Sequence, residues 1–235
     1  MKRRSLLILF VLPALWSPAQ SNRWGLETYG TAGHNYAYGI YSRVAAIGSY
    51  NVGQNFVALA GLQCGTGASP MSGALGWYSS FNVGRFKFFV HNRYWLNMYW
   101  RYNIREMGAL AEGGLSVGGW HMGIGLANRW IFPMQPVDRT GSTEYVFEPL
   151  NLVYAIEYKF NFTANRLWSA TLRMASYDDF IIDRAYQPLL SLQVDRKVSD
   201  KVNLWARAVL RPTGIFSLSA NYFEFFTSIG AHILW

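Results

Sequence analysis

The chain has 235 residues, of which 51% are hydrophobic, 17% are aromatic and 14% are charged, and its formal net charge is +8. This composition excludes a disordered or collagen-like polypeptide, and the length predicts one compact domain. The single cysteine, Cys64, can form neither an intramolecular disulfide nor a cysteine-based zinc site.

The N-terminal residues have the three parts of a secretory signal peptide. Residues 2–4 are basic, residues 6–16 form an apolar run, and residues 17–19 supply a cleavage site. A membrane anchor needs about 20 apolar residues, so this run is too short to be one. We therefore expect residues 1–19 to be removed. Residues 20–235 then form the exported domain, in which 18 basic residues against 13 acidic ones give a net charge of +5.

Residues 44–84 contain no charged side chain and no histidine, but they contain eight glycines. A membrane helix is not expected here, because each glycine weakens a helix interior by about 1 kcal/mol. Only helices and closed β-barrels satisfy all backbone hydrogen bonds inside a membrane. The lack of charge together with the many glycines therefore favours a transmembrane barrel.

Period-two alternation predicts an all-β, antiparallel, up-and-down transmembrane barrel of twelve strands. The first three segments alternate poorly, so ten and fourteen strands are the alternatives. Connections after even-numbered strands are short and most others are longer, which is typical of a barrel with both termini at one rim. The twelve strands are expected at residues 24–32, 37–49, 55–64, 74–83, 86–98, 106–117, 120–131, 149–160, 165–176, 187–198, 202–212 and 224–235.

Two dipeptides, Gly84-Arg85 and Gly118-Gly119, fit two-residue hairpin turns, which fix the register of the strands around them. The first turn places Gly76 opposite Arg93, and the second places Glu112 opposite Gly125. A glycine would thus make room for each large inward side chain. The faces predicted from the turns agree with those predicted from alternation.

Aromatic side chains on the predicted outward face mark the two edges of an apolar band. Trp120 and Trp130 lie ten residues apart. At about 3.4 Å per residue and a tilt of roughly 40°, this spacing projects to about 26 Å along the barrel axis, close to the height of the lipid-facing band of such barrels. Asn128 is the one misfit in the alternation of this segment. The predicted aromatic girdle comprises Trp120, Trp130, Tyr158, Phe160 and Trp235.

The predicted inward face carries nine cations and four acids. Such an excess predicts a narrow, water-filled pore that favours anionic solutes. The alternative is a plugged barrel, in which the cations bind the acids and loop carbonyl groups. The predicted lumen residues are Lys87, Arg93, Arg101, Arg129, Lys159, Arg173, Lys197, Arg207 and Arg211, together with Glu112, Glu157, Asp195 and Glu224.

The last strand alternates apolar side chains up to an aromatic C-terminal residue: Phe225, Thr227, Ile229, Ala231, Ile233 and Trp235. This strand resembles the closing strand of Gram-negative outer-membrane β-barrels. The resemblance implies outer-membrane lipid and the barrel-assembly machinery as partners. In size and strand count the chain also resembles narrow monomeric channels for acidic sugars. The resemblance leaves open which solute passes, whether the lumen is open, and what the oligomeric state is.

Two other functions are weighed against a channel. The second turn places Ser116 opposite His121, and a serine beside a base is the minimum for acyl transfer. The surrounding G-x-S-x-G pattern at residues 114–118 leads into a strand rather than the helix that this motif requires, so no enzyme is expected. A non-conducting structural or assembly subunit is the other alternative.

No cofactor, metal or nucleic acid is expected to bind. The four histidines are dispersed along the chain, without the spacing of metal ligands. The cations alternate with apolar residues, so they line an interior and do not form an exposed basic stripe.

Overall fold

The computed structural model describes residues 24–37, 39–53, 55–67, 71–134, 146–162, 167–180, 188–212 and 222–235. They form a closed barrel of twelve strands, as predicted, so the alternatives of ten and fourteen are wrong. The strands are β1 (Trp24–Asn35), β2 (Gly39–Asn51), β3 (Phe56–Gly65), β4 (Met71–Val83), β5 (Phe86–Tyr99), β6 (Ile104–Val117), β7 (Trp120–Pro133), β8 (Val146–Asn161), β9 (Trp168–Ala175), β10 (Leu189–Lys197), β11 (Val202–Pro212) and β12 (Tyr222–Leu234). The predicted signal peptide lies outside the described residues.

Every strand is antiparallel to its neighbours in sequence, and β1 closes the ring against β12. The closure reaches the last residue, because Trp24 and Trp235 exchange backbone hydrogen bonds of 3.2 and 3.1 Å. A closed ring leaves no strand edge unpaired, which is the condition for a sheet to lie in hydrocarbon. We call the end of the barrel that holds both termini the terminal rim, and the opposite end the loop rim.

The two predicted hairpin registers are confirmed. Gly76 lies opposite Arg93, and Glu112 lies opposite Gly125. The backbone φ is +59° at Gly84 and +60° at Gly118, in the left-handed region that a two-residue turn of this kind requires. Both turns lie at the terminal rim, and they set the phase of β4 to β7.

Large apolar side chains cover the outside of the barrel. Ile40 is 86% exposed, Ile229 is 72% exposed and Ile124 is 63% exposed. Inward side chains on the same strands, such as those of Tyr41 and Phe226, are buried. This outward apolar surface fits hydrocarbon and not water. Among the described residues, no helix is long and apolar enough to span a membrane.

A bulge explains the misfit at Asn128. The register between β7 and β8 shifts between Ala127 and Arg129, so that two residues of β8, including Pro149, lie opposite Asn128. Proline has no N–H to donate to the sheet, and within strands it is confined to such positions. The bulge lets β8 begin three residues earlier than predicted, and it turns Glu148 toward the lumen beside Arg129.

The connection after β9 departs from the prediction. The predicted strands at 165–176 and 187–198 leave one of the longer connections between them, and the sequence predicts an outer loop at residues 176–186, but residues 176–180 fold into the barrel. We call residues 176–180 the inner segment. The neighbouring residues 181–187 lie outside the description, as do residues 135–145 and 213–221 of the other long connections.

Candidate functional site

The lumen is packed in its loop half and hollow in its terminal half. Leu110, Val153, Leu189 and Val209 point inward, and each is at most 1% exposed. Below them lies a cavity of about 680 Å³ near the terminal rim. Its lining includes Glu27, Tyr78, Phe89, Lys159, Arg173 and Arg207. Charged groups and aromatic rings therefore surround a space large enough for a small ligand.

The inner segment crosses the lumen between these two halves. The Asp179 carboxylate lies 3.3 Å from Arg93 on β5 and 3.9 Å from Arg207 on β11. The Asp178 carboxylate lies 3.6 Å from Arg207. Strands β5 and β11 are six strands apart in the ring of twelve, so they form opposite walls. Two neighbouring acids therefore link two arginines across the barrel.

Further contacts hold the backbone and ring groups of the inner segment. Arg93 donates hydrogen bonds of 3.3 and 3.0 Å to the carbonyl oxygens of Asp178 and Asp179. Asn97 donates to the carbonyl oxygen of Phe180 at 2.9 Å. The Phe180 ring is 3% exposed and packs in a cluster with Trp205. The segment is thus bound through side chains, carbonyl groups and an apolar anchor.

The charge states of the segment follow from its surroundings. Burial would raise the pKa of Asp178, but the guanidinium groups of Arg207 and Arg173 hold that pKa below its ordinary value, so the group is ionised. Burial and the nearby Glu112 carboxylate raise the pKa of the Tyr177 phenol, which therefore stays protonated and donates a hydrogen bond to Glu112.

Other predicted lumen residues form ion pairs at three further places. Arg129 lies 3.6 Å from Glu106 and 3.4 Å from Glu148. Arg173 lies 2.9 Å from Glu157. Glu224 near the loop rim is 1% exposed, and it accepts a hydrogen bond of 2.6 Å from Tyr41, pairs with Arg211 and lies 3.9 Å from Arg43.

The predicted excess of inward cations is wrong. Five acids join the four predicted ones, and Arg43 joins the eight predicted cations whose side chains the structure describes. Nine cations therefore face nine acids among the described side chains of the lumen. One of the added acids lies in a poorly alternating strand, one is the first residue of a predicted strand, one lies beside the bulge, and two lie in a connection predicted to be an outer loop. The five added acids are Glu27, Glu106, Glu148, Asp178 and Asp179.

Besides Arg129 and Arg211, three predicted cations lie outside the lining of the cavity. Arg101 belongs to the short 3-10 turn Trp100–Tyr102 at the loop rim, and its side chain lies outside the description. The Lys87 ammonium lies 5.7 Å from the ring centre of Tyr78. Lys197 lies 2.6 Å from Asp200 in a turn of the terminal rim, and its hydrogen bond lowers the pKa of that carboxyl.

The aromatic residues predicted to form a girdle lie on the outward face. Trp120 packs on Tyr158 at the terminal rim, with ring centres 4.7 Å apart, and Phe160 stacks next to Tyr158 at 6.0 Å. Trp130 stacks on Phe147 at 5.3 Å near the loop rim. Trp235 is 52% exposed at the closing strand. Aromatic rings therefore stand near both ends of the outward face.

The Ser116 and His121 side chains meet inside the terminal half of the barrel. Ser116 Oγ lies 2.7 Å from His121 Nδ1, and the imidazole stacks on Phe89 at 4.2 Å. A hydrolytic triad also needs a third group that orients the base. Two carboxylates stand near His121, but Glu157, opposite it in the register, pairs with Arg173, and Glu112 binds His91 and Tyr177. No carboxylate among the described residues is hydrogen-bonded to His121.

The closed ring, the apolar outside and the charged interior together define an outer-membrane β-barrel protein. No family model and no curated protein matches the chain. Among solved structures, it is similar to the KdgM porin in complex with disordered oligogalacturonate, with 7% identity, a TM-score of 0.54, and coverage of 90% of this chain and 99% of that chain.

Two further solved structures have a similar fold. The COG4313 outer membrane channel from Pseudomonas putida F1 has 9% identity and a TM-score of 0.52, with 96% of this chain and 100% of that chain covered. The translocator domain of the autotransporter NalP from Neisseria meningitidis has 13% identity and a TM-score of 0.50, with 93% and 90% covered. At these identities the similarity shows the fold, and function has to be argued from the site.

Proposed function

We propose that the protein is a narrow passive channel of the outer membrane that favours small anionic solutes. The observation that carries this proposal is the pair Arg93 and Arg207, which stand on opposite walls and both line the 680 Å³ cavity. Guanidinium groups bind carboxylates through forked, charge-assisted hydrogen bonds. The similarity to a porin bound to oligogalacturonate, an acidic sugar chain, supports the same solute class.

The balance of charge in the whole lumen does not oppose this preference, because a solute that crosses the cavity passes between Arg93 and Arg207 on opposite walls. Most of the lumen acids are paired with nearby arginines, as Glu157 is with Arg173. Arg93 and Arg207 contact Asp178 and Asp179 of the inner segment and backbone carbonyl groups of that segment, and Arg207 also lies over the rings of Tyr29 and Trp205. A solute that passes there meets two guanidinium groups at close range.

Single-channel recording in a planar bilayer tests the proposal. The wild-type chain should give steps whose reversal potential in a salt gradient favours anions. The double variant Arg93→Glu, Arg207→Glu should weaken or invert that preference, because it replaces the two cations on opposite walls of the cavity by acids. Arg196→Glu is the matched control, since Arg196 lies outside and stacks on Trp168 at 5.3 Å. An unchanged reversal potential in the double variant contradicts the proposal.

The packed loop half favours one alternative, a barrel that does not conduct and serves as a structural or assembly subunit of an envelope complex. Silent bilayers from well-folded, heat-modifiable protein would support it. We propose no catalytic role for Ser116 and His121, because the third group of a triad is missing among the described residues. Phospholipid hydrolysis by purified protein that is lost in Ser116→Ala would contradict this part of the proposal.

A further inference from the structure

We propose that the inner segment is an intramolecular ligand. Its two carboxylates occupy an anion-binding site made by Arg93 and Arg207, and a solute with two neighbouring carboxylates opens the lumen by taking their place. This inference deepens the proposed channel function and rests on it, because it names the solute class and the group that the solute displaces.

The inner segment presents its two carboxylates as a diacid would. Asp178 and Asp179 are adjacent in sequence, and each faces a guanidinium group: Arg207 at 3.6 Å and Arg93 at 3.3 Å. The two arginines come from strands on opposite walls, so one short ligand binds both. Two carboxylates on neighbouring units of a solute present the same pattern of charge.

The inner segment leaves part of the hydrogen-bonding capacity of the two arginines unused. Strong guanidinium–carboxylate hydrogen bonds are about 2.7–2.9 Å long. Arg207 approaches the two carboxylates only to 3.6 and 3.9 Å, and its Nε is buried without a hydrogen-bond partner among the described residues. The chain that carries the acids is anchored at Tyr177 and Phe180, which limits how closely they approach. A free diacid has no such tether and can form the forked hydrogen bonds that the segment does not form.

The two arginines are accessible to a solute from the cavity. Arg93, Arg207 and Asp179 all line the 680 Å³ cavity, so a solute in the terminal half of the barrel reaches the site directly. The Arg93 side chain is 17% exposed and the Asp179 side chain 27% exposed. The solute therefore competes with the segment at a surface that faces the cavity, and departure of the segment removes the Tyr177 ring from the cluster that it forms with Leu110 and Val153 in the packed half.

Displacement requires that the solute bind the open arrangement more tightly than the closed one. When the segment leaves, Glu112 loses the Tyr177 phenol but keeps His91 at 3.4 Å, and Phe180 leaves its cluster with Trp205. The observed affinity for the solute then equals the intrinsic affinity multiplied by the fraction of molecules in which the segment has left the site. Weakening the segment should raise that observed affinity.

The test is a binding titration of the full chain in detergent with digalacturonate, followed by tryptophan fluorescence, with maltose as the neutral probe. The double variant Asp178→Asn, Asp179→Asn keeps the shape of the segment and removes its charge. Its dissociation constant for digalacturonate should fall by about tenfold or more, because the closed state no longer competes. Arg93→Gln with Arg207→Gln should lose binding, and maltose should bind to none of them.

The control must separate displacement from a general gain in positive charge. Asp195→Asn with Asp200→Asn removes the same charge from the terminal mouth, where these acids contact Gln193 and Asn203 or Lys197 and do not contact the inner segment. This variant should bind digalacturonate with the wild-type constant. An equal gain in affinity in both double variants would overturn the inference.

A second measurement does not depend on variants. Hydrogen exchange of residues 176–180 in the wild-type chain should accelerate when digalacturonate is added and should not change with maltose. Unchanged exchange at saturating digalacturonate would overturn the displacement. If the affinity and exchange results are as expected but bilayers stay silent, the channel proposal fails and the intramolecular-ligand proposal stands. If bilayers conduct anions but the double variant Asp178→Asn, Asp179→Asn gains no affinity, the intramolecular-ligand proposal fails and the channel proposal stands.

Discussion

The glycines of the lumen show what a single residue decides in this barrel. The hairpin register predicts that Gly108 leaves room for Arg129 opposite it, and that pairing is confirmed. The space is used from the other side, however, because a Cβ at Gly108 would collide with the indole ring of Trp95 on β5. The Trp95 indole in turn donates a hydrogen bond of 3.0 Å to Glu106.

Gly108→Ala should therefore destabilise the barrel by about 1–3 kcal/mol, as expected when a packed interior is overfilled. The measurement is the midpoint of urea unfolding in detergent, followed by heat-modifiable mobility. Gly30→Ala is the matched control, because nothing lies within 4 Å of a Cβ built at Gly30. Equal midpoints for the two variants would show that the stability of the barrel does not depend on the space that Gly108 leaves for the Trp95 ring.

The faces of individual residues could be predicted, but their partners could not. Alternation correctly predicted that Arg93 and Glu112 point inward, because the two-residue period of a strand is a local property of the chain. Their partners Asp179 and Tyr177 come from a segment that has no period and lies more than sixty residues away in sequence. One signal did point to such partners. Nine inward cations against four acids would be costly to bury without further counter-charges.

At the scale of elements, strands with local turn signals were predicted best. The glycine turns fixed β4 to β7 to within a few residues of their observed ends. The poor alternation of β1 to β3 has a simple cause, since outward positions such as Ala46, Gly48 and Ala60 are small and look like inward ones. The inner segment could not be foreseen, because Tyr-Asp-Asp-Phe after a strand has the composition of an exposed loop.

The docking of the inner segment should depend on pH through Asp178. The pKa of this group is held below its ordinary value of 3.8. The docked state is therefore stabilised by ionised Asp178 above that pH, and this stabilisation is lost as the pH falls through the lower pKa of the docked state. Hydrogen exchange of residues 176–180, corrected for its intrinsic rate, should be faster at about pH 3 than at about pH 6.

Asp178→Asn is the control for this pH dependence. It removes the titrating group, so exchange should already be faster at about pH 6 and should change less on acidification. A wild-type segment whose exchange is the same at both pH values would show that Asp178 does not hold it in place.

At the scale of the whole molecule, the membrane made the fold predictable. Few architectures satisfy all hydrogen bonds of a backbone in hydrocarbon, so even weak alternation of apolar and polar side chains predicts a closed barrel. Function is less constrained, because a similar ring occurs both in a porin and in an autotransporter translocator domain. In this chain the proposed site depends on the link between β5 and β11 through the inner segment, a contact that exists only once the ring has closed.

If the outside of the barrel faces hydrocarbon, an outward arginine should lower the free energy of unfolding more near the middle of the membrane than near its surface. Ile124 is 63% exposed between the predicted girdle tryptophans, and Val83 is 55% exposed beside the Gly84 turn of the terminal rim. In lipid vesicles, Ile124→Arg should lower the free energy of unfolding by about 2–4 kcal/mol and Val83→Arg by about 0–1 kcal/mol. In water both exposed positions would accept arginine equally well. Equal costs in vesicles would therefore mean that the apolar outside does not face hydrocarbon, and the barrel would have to bury that surface against protein.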